Sequence, residues 1–154
     1  MENLKILNSR EKKNVLKLVK EQWDADFDTD LVVLLSNRNK VYLVNADFSK
    51  VDEKHMRIEK VGLYFGEIVD KEIRLSIEGC QLIGPIAKKN IIELSDGEVK
   101  VMFHGNDLIK KDIGDGKRGF VILKNNSDFI GCGKVRGEEI INYIPKTRRI
   151  LSED

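Results

Sequence analysis

The most restrictive feature of this chain is a strand-like stretch at residues 129–135, which has three consecutive small residues at positions 131–133. Small residues on a strand allow another backbone to approach closely. Cations follow at Lys134 and Arg136, where a polyanion could lie against that backbone. The pattern therefore predicts a docking surface on a β-sheet.

Size and cysteine usage favour an intracellular protein with its own core. A chain of 154 residues can bury roughly 70% of its unfolded surface. Cys80 and Cys132 form no C-x-x-C pair, which argues against a zinc ribbon, a thioredoxin-like motif or a secreted disulfide framework. We expect both to be small buried apolar residues.

Nothing in the sequence predicts contact with a membrane. The longest apolar run, residues 31–35, is far shorter than the roughly 20 residues that span a bilayer. The N-terminus lacks the apolar stretch of a signal peptide, so we expect a cytoplasmic location.

Charge is distributed unevenly, although the net charge is only +1. Residues 1–85 carry 14 basic and 15 acidic side chains, and residues 86–154 carry 13 and 11. Five basic and two acidic residues fall within residues 134–149. This asymmetry favours an anionic partner for the C-terminal part, and a solvated face of mixed charge is the alternative.

Residues 1–85 predict an N-terminal α/β domain. A helix over residues 10–23, capped by Asn8 or Ser9, precedes two hairpins. The first pairs residues 31–35 with 41–44, and the second pairs 62–69 with 73–77 around a turn at residues 70–71. The intervening residues 46–60 are polar and weakly helical.

A short helix is expected between Ser76 and Ala87, limited by Pro85, with four aliphatic residues pointing inward: Ile77, Leu82, Ile83 and Ile86. A domain boundary is expected near Gly84-Pro85.

Residues 86–154 predict a compact β-barrel. A strand is expected at residues 91–94. The apolar pattern of residues 98–104 fits both a strand and a helix, and Asp96 and Gly105 favour the helix as N-cap and C-terminal glycine. Strands at residues 119–124, 129–135 and 140–150 alternate with turns rich in Gly, Asn and Asp. The fold class is therefore α+β.

Residues 89–151 resemble the PUA domain, a small RNA-binding β-barrel found beside pseudouridine synthases and archaeosine transglycosylases. Its marks are the strand at residues 91–92, the helix-to-glycine step at 103–108 and the late strand at 129–135.

Two families share this resemblance. Residues 62–66, 74–77 and 86–88 look like the pre-PUA-plus-PUA architecture of a family that assists large-subunit ribosome maturation in archaea and eukaryotes. The ending at residues 141–149 is similar to the PUA-like tail of Nol/Nop/Sun ribosomal RNA methyltransferases and their archaeal counterparts. The first resemblance implies a pre-PUA-like domain followed by a small mixed β-barrel PUA domain, and the second implies a PUA-like domain at the C-terminal end.

The resemblance implies RNA, in particular ribosomal RNA, as the partner. Lys110 and Lys111 follow the glycine step and would border the groove that receives RNA, and Tyr143 would stack on an unstacked base. The candidate RNA-contacting residues are Lys88, Lys89, Lys110, Lys111, Lys134, Arg136, Tyr143, Lys146, Arg148 and Arg149.

Other site types find little support. The glycines at 131, 133 and 137 precede no convincing helix, which a dinucleotide site requires. His55 and His104 lack metal-ligand spacing, and the acidic cluster at residues 24–30 lacks the glycine and closing glutamate of a calcium loop. We expect no catalytic residue, no metal and no cofactor.

Three function classes remain. The first is a non-enzymatic protein that binds ribosomal RNA or a pre-ribosomal particle, with its N-terminal domain on a protein partner. The second is an RNA-modifying enzyme, or an accessory of one that acts on tRNA or rRNA. The third is a protein-interaction adaptor of ribosome assembly. We favour the first, because the length leaves no room for a catalytic domain beside the PUA region.

Overall fold

Two five-stranded sheets dominate the fold. The structure is a computed structural model and describes residues 3–45, 62–114 and 117–148. The predicted weakly helical segment at 46–60 lies outside these residues.

The first sheet is antiparallel and follows the chain order β1-β2-β3-β4-β5. Its strands are β1 (Leu4–Ile6), β2 (Val32–Ser36), β3 (Lys40–Val44), β4 (Leu63–Val69) and β5 (Glu72–Leu75). Both predicted hairpins are confirmed, and β1 adds an edge strand that the sequence pattern did not indicate.

Helix α1 (Ser9–Trp23) lies between β1 and β2 in the chain. Asn8 is the N-cap: it accepts a bond from the Glu11 amide, and the Glu11 side chain accepts from the Asn8 amide. The helix ends at Asp24, which adopts the left-handed conformation with φ 49°. Its apolar face is buried, and Trp23 is fully enclosed.

Helix α2 (Ile77–Ile83) and a 3₁₀ turn (Gly84–Ile86) connect the two sheets. Ser76 caps α2 by accepting from the Gly79 amide. Ile77 and Ile83 are buried as predicted, but the inward orientation of Leu82 and Ile86 is wrong, since they are 38% and 39% exposed. The neighbouring sheets cover only one side of so short a helix.

The second sheet is mixed, with the order β6-β8-β9-β10-β7. Its elements are β6 (Ile91–Glu93), α3 (Asp96–Phe103), β7 (Leu108–Ile109), β8 (Gly119–Asn125), β9 (Asp128–Arg136), β10 (Glu139–Asn142) and a 3₁₀ turn (Lys146–Arg148). Strands β6 and β8 are parallel, and the other pairs are antiparallel. The sheet curls into a half-barrel, so the predicted α+β class with a mixed β-barrel is confirmed.

Two details of this half differ from the prediction. Ser95, not Asp96, is the N-cap of α3, and it forms a capping box with Glu98. The strand expected over residues 140–150 ends at Asn142. Pro145 follows and has no amide hydrogen to donate to a neighbouring strand.

The core is continuous between the two sheets. One buried cluster joins Trp23 and Phe65 of the first half to Phe120, Ile122 and Cys132 of the second. A second cluster, which includes Val121, Leu123 and Ile140, fills the inside of the half-barrel. Strand β8 is therefore buried on both faces. Because the halves share a core, the division into residues 1–85 and 86–154 stays a prediction.

No helix in the described part of the chain is both long and apolar enough to cross a bilayer.

Candidate nucleic-acid interface

The space beside the small residues at 131–133 is occupied by other side chains of the protein. All three are buried, and a Cβ on Gly133 would lie 2.6 Å from Cγ2 of Ile140. A Cβ on Gly131 would lie 3.2 Å from Cγ1 of Ile144. The prediction that another molecule docks against this backbone is therefore wrong; the glycines admit the side chains of β10 and of the segment after it.

Strand order brings many of the predicted cations to one end of the second sheet. Strands β6 and β8 begin at this end, β9 and β7 finish there, and β10 starts there. Seven cations flank these strand ends: Lys88, Lys89, Lys111, Lys117, Arg118, Lys134 and Arg136. We call this set the basic rim.

Lys117 and Arg118 are members of the rim that the sequence interpretation missed. They directly precede β8, and Arg118 is exposed. A pair of adjacent cations before an apolar strand was visible in the sequence. Only the strand order shows that this pair lies at the same end as Lys134 and Arg136.

Lys88 and Lys89 lie where the rim meets the first half of the protein. Both of their amides donate to the carbonyl oxygen of Trp23, at 2.8 and 3.3 Å. The hydrogen-bonded Lys20 ammonium lowers the pKa of Asp24, and the charges of Lys88 and Lys89 act in the same direction. Asp24 therefore offsets part of the charge at this end of the rim.

Lys110 is placed differently from its neighbour Lys111. Its side chain is only 11% exposed, and its Nζ lies 3.0 Å from Glu98 and 3.2 Å from Asp112. Two carboxylates already neutralise this ammonium, so we leave Lys110 out of the rim.

The predicted cations at the C-terminal end form a separate group. Arg148 lines a cavity together with Ile130 at the beginning of β9, whereas Arg136 lies at the other end of that strand. The part of β9 from Ile130 to Arg136 spans about 20 Å. The single groove expected from the sequence is therefore divided in two. Lys146 is exposed in the C-terminal group, and Arg149 lies outside the described residues.

A row of two aromatic rings with a cation at each end leads from the rim to the first half. Lys134 Nζ lies 5.2 Å from the ring centroid of Phe120, and Phe120 meets Tyr143 edge-on at 5.8 Å. The Arg74 guanidinium then lies 4.7 Å from the centroid of Tyr143. These separations suit cation–π contacts.

The row ends at a cavity of about 310 Å³ between the two halves. Its lining includes Tyr64, Arg74, Ser76, Glu78, Tyr143 and Arg148. Tyr143 and Arg148 were predicted from the sequence as site residues. Arg74 and Tyr64 were not, since they belong to the other half of the chain.

The comparisons with known proteins concern the second sheet. Residues 89–150 match the family described as the methyltransferase RsmF PUA domain. Residues 89–150 are therefore similar to a PUA domain. The matched residues include every strand of the half-barrel, so the predicted PUA domain is confirmed.

A relative extends the likeness upstream. Ribosomal RNA small subunit methyltransferase F of Aeromonas hydrophila subsp. hydrophila is 26% identical over 113 residues, which is 73% of this chain. The chain spans 23% of the length of that relative. Of the two resemblances, these findings support the one to the PUA-like tail of the Nol/Nop/Sun methyltransferases.

Proposed function

We propose that this PUA-domain protein is a non-catalytic RNA-binding protein that acts on ribosomal RNA or pre-ribosomal particles, as an accessory to rRNA modification. The observation that carries the proposal is the convergence of seven cations on one end of the PUA sheet. The relative that shares this domain is named as a ribosomal RNA methyltransferase, which supports rRNA as the partner.

The rim would act through phosphates. Each neutralised phosphate releases condensed counterions, and a single strand contributes a salt slope of about −0.7 per contact. Arg136 is 72% exposed and meets Glu139 only at 3.5 Å, a surface pair of small energetic worth. It is therefore available to an RNA strand, and recognition would follow RNA shape more than base sequence.

The first half carries exposed cations on α1, but carboxylates pair with two of them: Lys17 lies 3.8 Å from Glu21, and Lys20 lies about 3 Å from Asp24 and Asp26. We propose that this half contacts a protein partner and that the protein acts in the cytoplasm.

A second candidate function has one specific observation in its favour. The relative is a methyltransferase, and this chain spans 23% of its length. In this candidate function, the chain is the RNA-contacting part of a methylating system, and another protein region supplies the catalytic domain. Methyl transfer from S-adenosylmethionine to rRNA by the isolated chain would contradict both the non-catalytic proposal and this candidate.

A titration of ribosomal RNA against the full chain at 50 to 300 mM salt tests the main proposal. The combined substitutions Arg118→Gln, Lys134→Gln and Arg136→Gln should weaken binding and make the slope shallower by about 2, at about 0.7 per contact.

The control removes the same number of positive charges from exposed positions away from the rim, with Arg10→Gln, Lys13→Gln and Lys100→Gln. This control should keep the wild-type slope. A wild-type affinity that does not change with salt, or equal losses in the two triple variants, would contradict a phosphate-binding rim.

A further inference from the structure

The cavity between the two halves has the chemistry of a nucleobase site. We infer that it accepts one unstacked base of the bound RNA, which stacks on the guanidinium of Arg74 where this group lies on the ring of Tyr143. This inference rests on the proposed function, since it needs an RNA whose phosphates lie on the basic rim.

The ring of Tyr143 is held in place before any ligand arrives. Phe120, itself 3% exposed, meets the Tyr143 ring edge-on at 5.8 Å. The Tyr143 amide donates to the carbonyl oxygen of Cys132 at 3.3 Å. A ring that is fixed in this way holds the Arg74 guanidinium on its face, so little conformational entropy is lost when a base stacks on that guanidinium.

The first half of the protein provides two stacking groups in the cavity lining, Arg74 and Tyr64. Arg74 extends from β5 to lie 4.7 Å from the centroid of the Tyr143 ring. Tyr64 of β4 lines the same cavity and is supported from behind by Tyr42, with ring centroids 5.5 Å apart. Aromatic rings and arginine planes are the groups on which unstacked RNA bases stack.

The charge balance favours a base over a phosphate. Arg74 bonds to Glu67 at 3.0 Å, and Arg148 bonds to Glu78 at 3.3 Å. Each arginine in the lining therefore has a carboxylate partner, so the cavity carries little net positive charge. A planar, uncharged ring suits this setting better than a phosphate, which the rim would bind instead.

Size and position agree with this assignment. The volume of about 310 Å³ is at the small end of the range of roughly 300–1,000 Å³ for small-molecule sites. Tyr143 is linked to Lys134 of the rim through Phe120. Phe120 is buried, so this link shows only that the Tyr143 ring lies two side-chain contacts from Lys134. An RNA strand on the rim is therefore close enough to place a neighbouring base in the cavity.

Two probes of equal charge separate base binding from phosphate binding. The first is a ten-nucleotide oligoadenylate, and the second is a ten-unit phosphate chain of the same length in which every base is absent. Binding of each to the full chain is measured by fluorescence anisotropy in low salt. We expect oligoadenylate to bind the wild-type protein about tenfold more tightly, in line with base–aromatic stacking of about 1–3 kcal/mol per base.

Substitution of the stacking groups should remove only this difference. Tyr143→Leu and Arg74→Gln should each weaken oligoadenylate binding about fivefold to tenfold and leave the base-free chain unaffected. Arg10→Gln, at an exposed position of α1, is the matched control for Arg74 and should change neither affinity. Thermal unfolding of each variant confirms that it is folded under the conditions of the titration.

The outcomes distinguish the two proposals. If the two probes bind the wild-type protein equally, or if Tyr143→Leu weakens both probes to the same extent, no base occupies the cavity and the inference fails. The rim can still bind RNA in that case. If neither probe nor ribosomal RNA binds at any salt concentration, the proposed function fails as well.

Discussion

The side-chain amide of Asn142 donates a 2.6 Å hydrogen bond to the carbonyl oxygen of Met102, which joins the last strand to the last turn of α3. The same amide bonds to the carbonyl of Asn106, and its oxygen accepts from the Ile144 amide at 2.8 Å. The backbone amide of Asn142 donates to Asp107. The helix-to-glycine step that marks the PUA resemblance is thus bound directly to β10.

Asn142→Ala should lower the free energy of unfolding by about 2–3 kcal/mol, because it leaves buried carbonyl and amide groups without partners. Urea denaturation at pH 7 measures the loss. Asn14→Ala, at an exposed position on α1, should change the stability by no more than about 0.5 kcal/mol. Equal stabilities for the two variants would show that Asn142 does not join these elements.

Lys110→Met should cost roughly 1 kcal/mol at pH 7 through loss of the partly buried pair with Glu98. Methionine keeps most of the apolar stem, so the charge is the main change. Lys111→Met, at the exposed neighbouring position, should be close to neutral. Denaturation of both variants in urea provides the comparison, and an equal effect would mean that the Lys110 pair contributes nothing.

Acid should remove the contribution of the same pair. Burial raises the pKa of Glu98, but the Ser95 amide and the Lys110 ammonium outweigh burial and lower it below the ordinary value of 4.5. A carboxyl with a lowered pKa in the folded state stabilises the protein above the unfolded-state pKa, and this stability is lost as the pH falls through the folded-state value. Between pH 7 and pH 3, the wild-type protein should therefore lose more stability than Lys110→Met. Parallel losses in the two proteins would contradict the role of the pair.

Local signals were sufficient to predict the hairpins. The turn between β4 and β5 consists of Asp70 and Lys71, both with positive φ, at 49° and 67°. Aspartate tolerates this conformation better than most residues, and the alternation of apolar residues on each side sets the register. These features act over a few residues, so the sequence alone could reveal them.

The candidate site depends on contacts between distant parts of the chain. The Arg74 contact with Tyr143 requires the relative placement of two sheets, and no local pattern encodes this. Likewise, the burial of Lys110 depends on Glu98 from a helix twelve residues earlier. Basic composition directs attention to the C-terminal half, but strand order decides which of its cations are neighbours.

Gly79→Ala should destabilise the protein by about 1–3 kcal/mol, as overpacking of a closely packed site does. A Cβ there would lie 2.2 Å from the backbone carbonyl oxygen of Phe65, so α2 would have to move away from β4. Gly97→Ala in α3 meets no atom within 4 Å and should be neutral or stabilising by up to about 1 kcal/mol. Thermal unfolding of the two variants makes the comparison. If both substitutions had the same effect, close approach of α2 to β4 would not explain the glycine.

The thiols of Cys80 and Cys132 should be unreactive in the folded protein. They are 0% and 2% exposed, and burial, together with the neighbouring Cys132 thiol, raises the pKa of Cys80 well above its ordinary value. The thiolate is the reactive form, so an aromatic disulfide reagent at pH 8 should label neither cysteine in native buffer and both in urea.

Because α2 carries Cys80 and β9 carries Cys132, the labelling rate reports how often these elements separate. Gly79→Ala should therefore accelerate labelling and Gly97→Ala should not, whereas rapid labelling of the wild-type protein would contradict a closed junction between the halves.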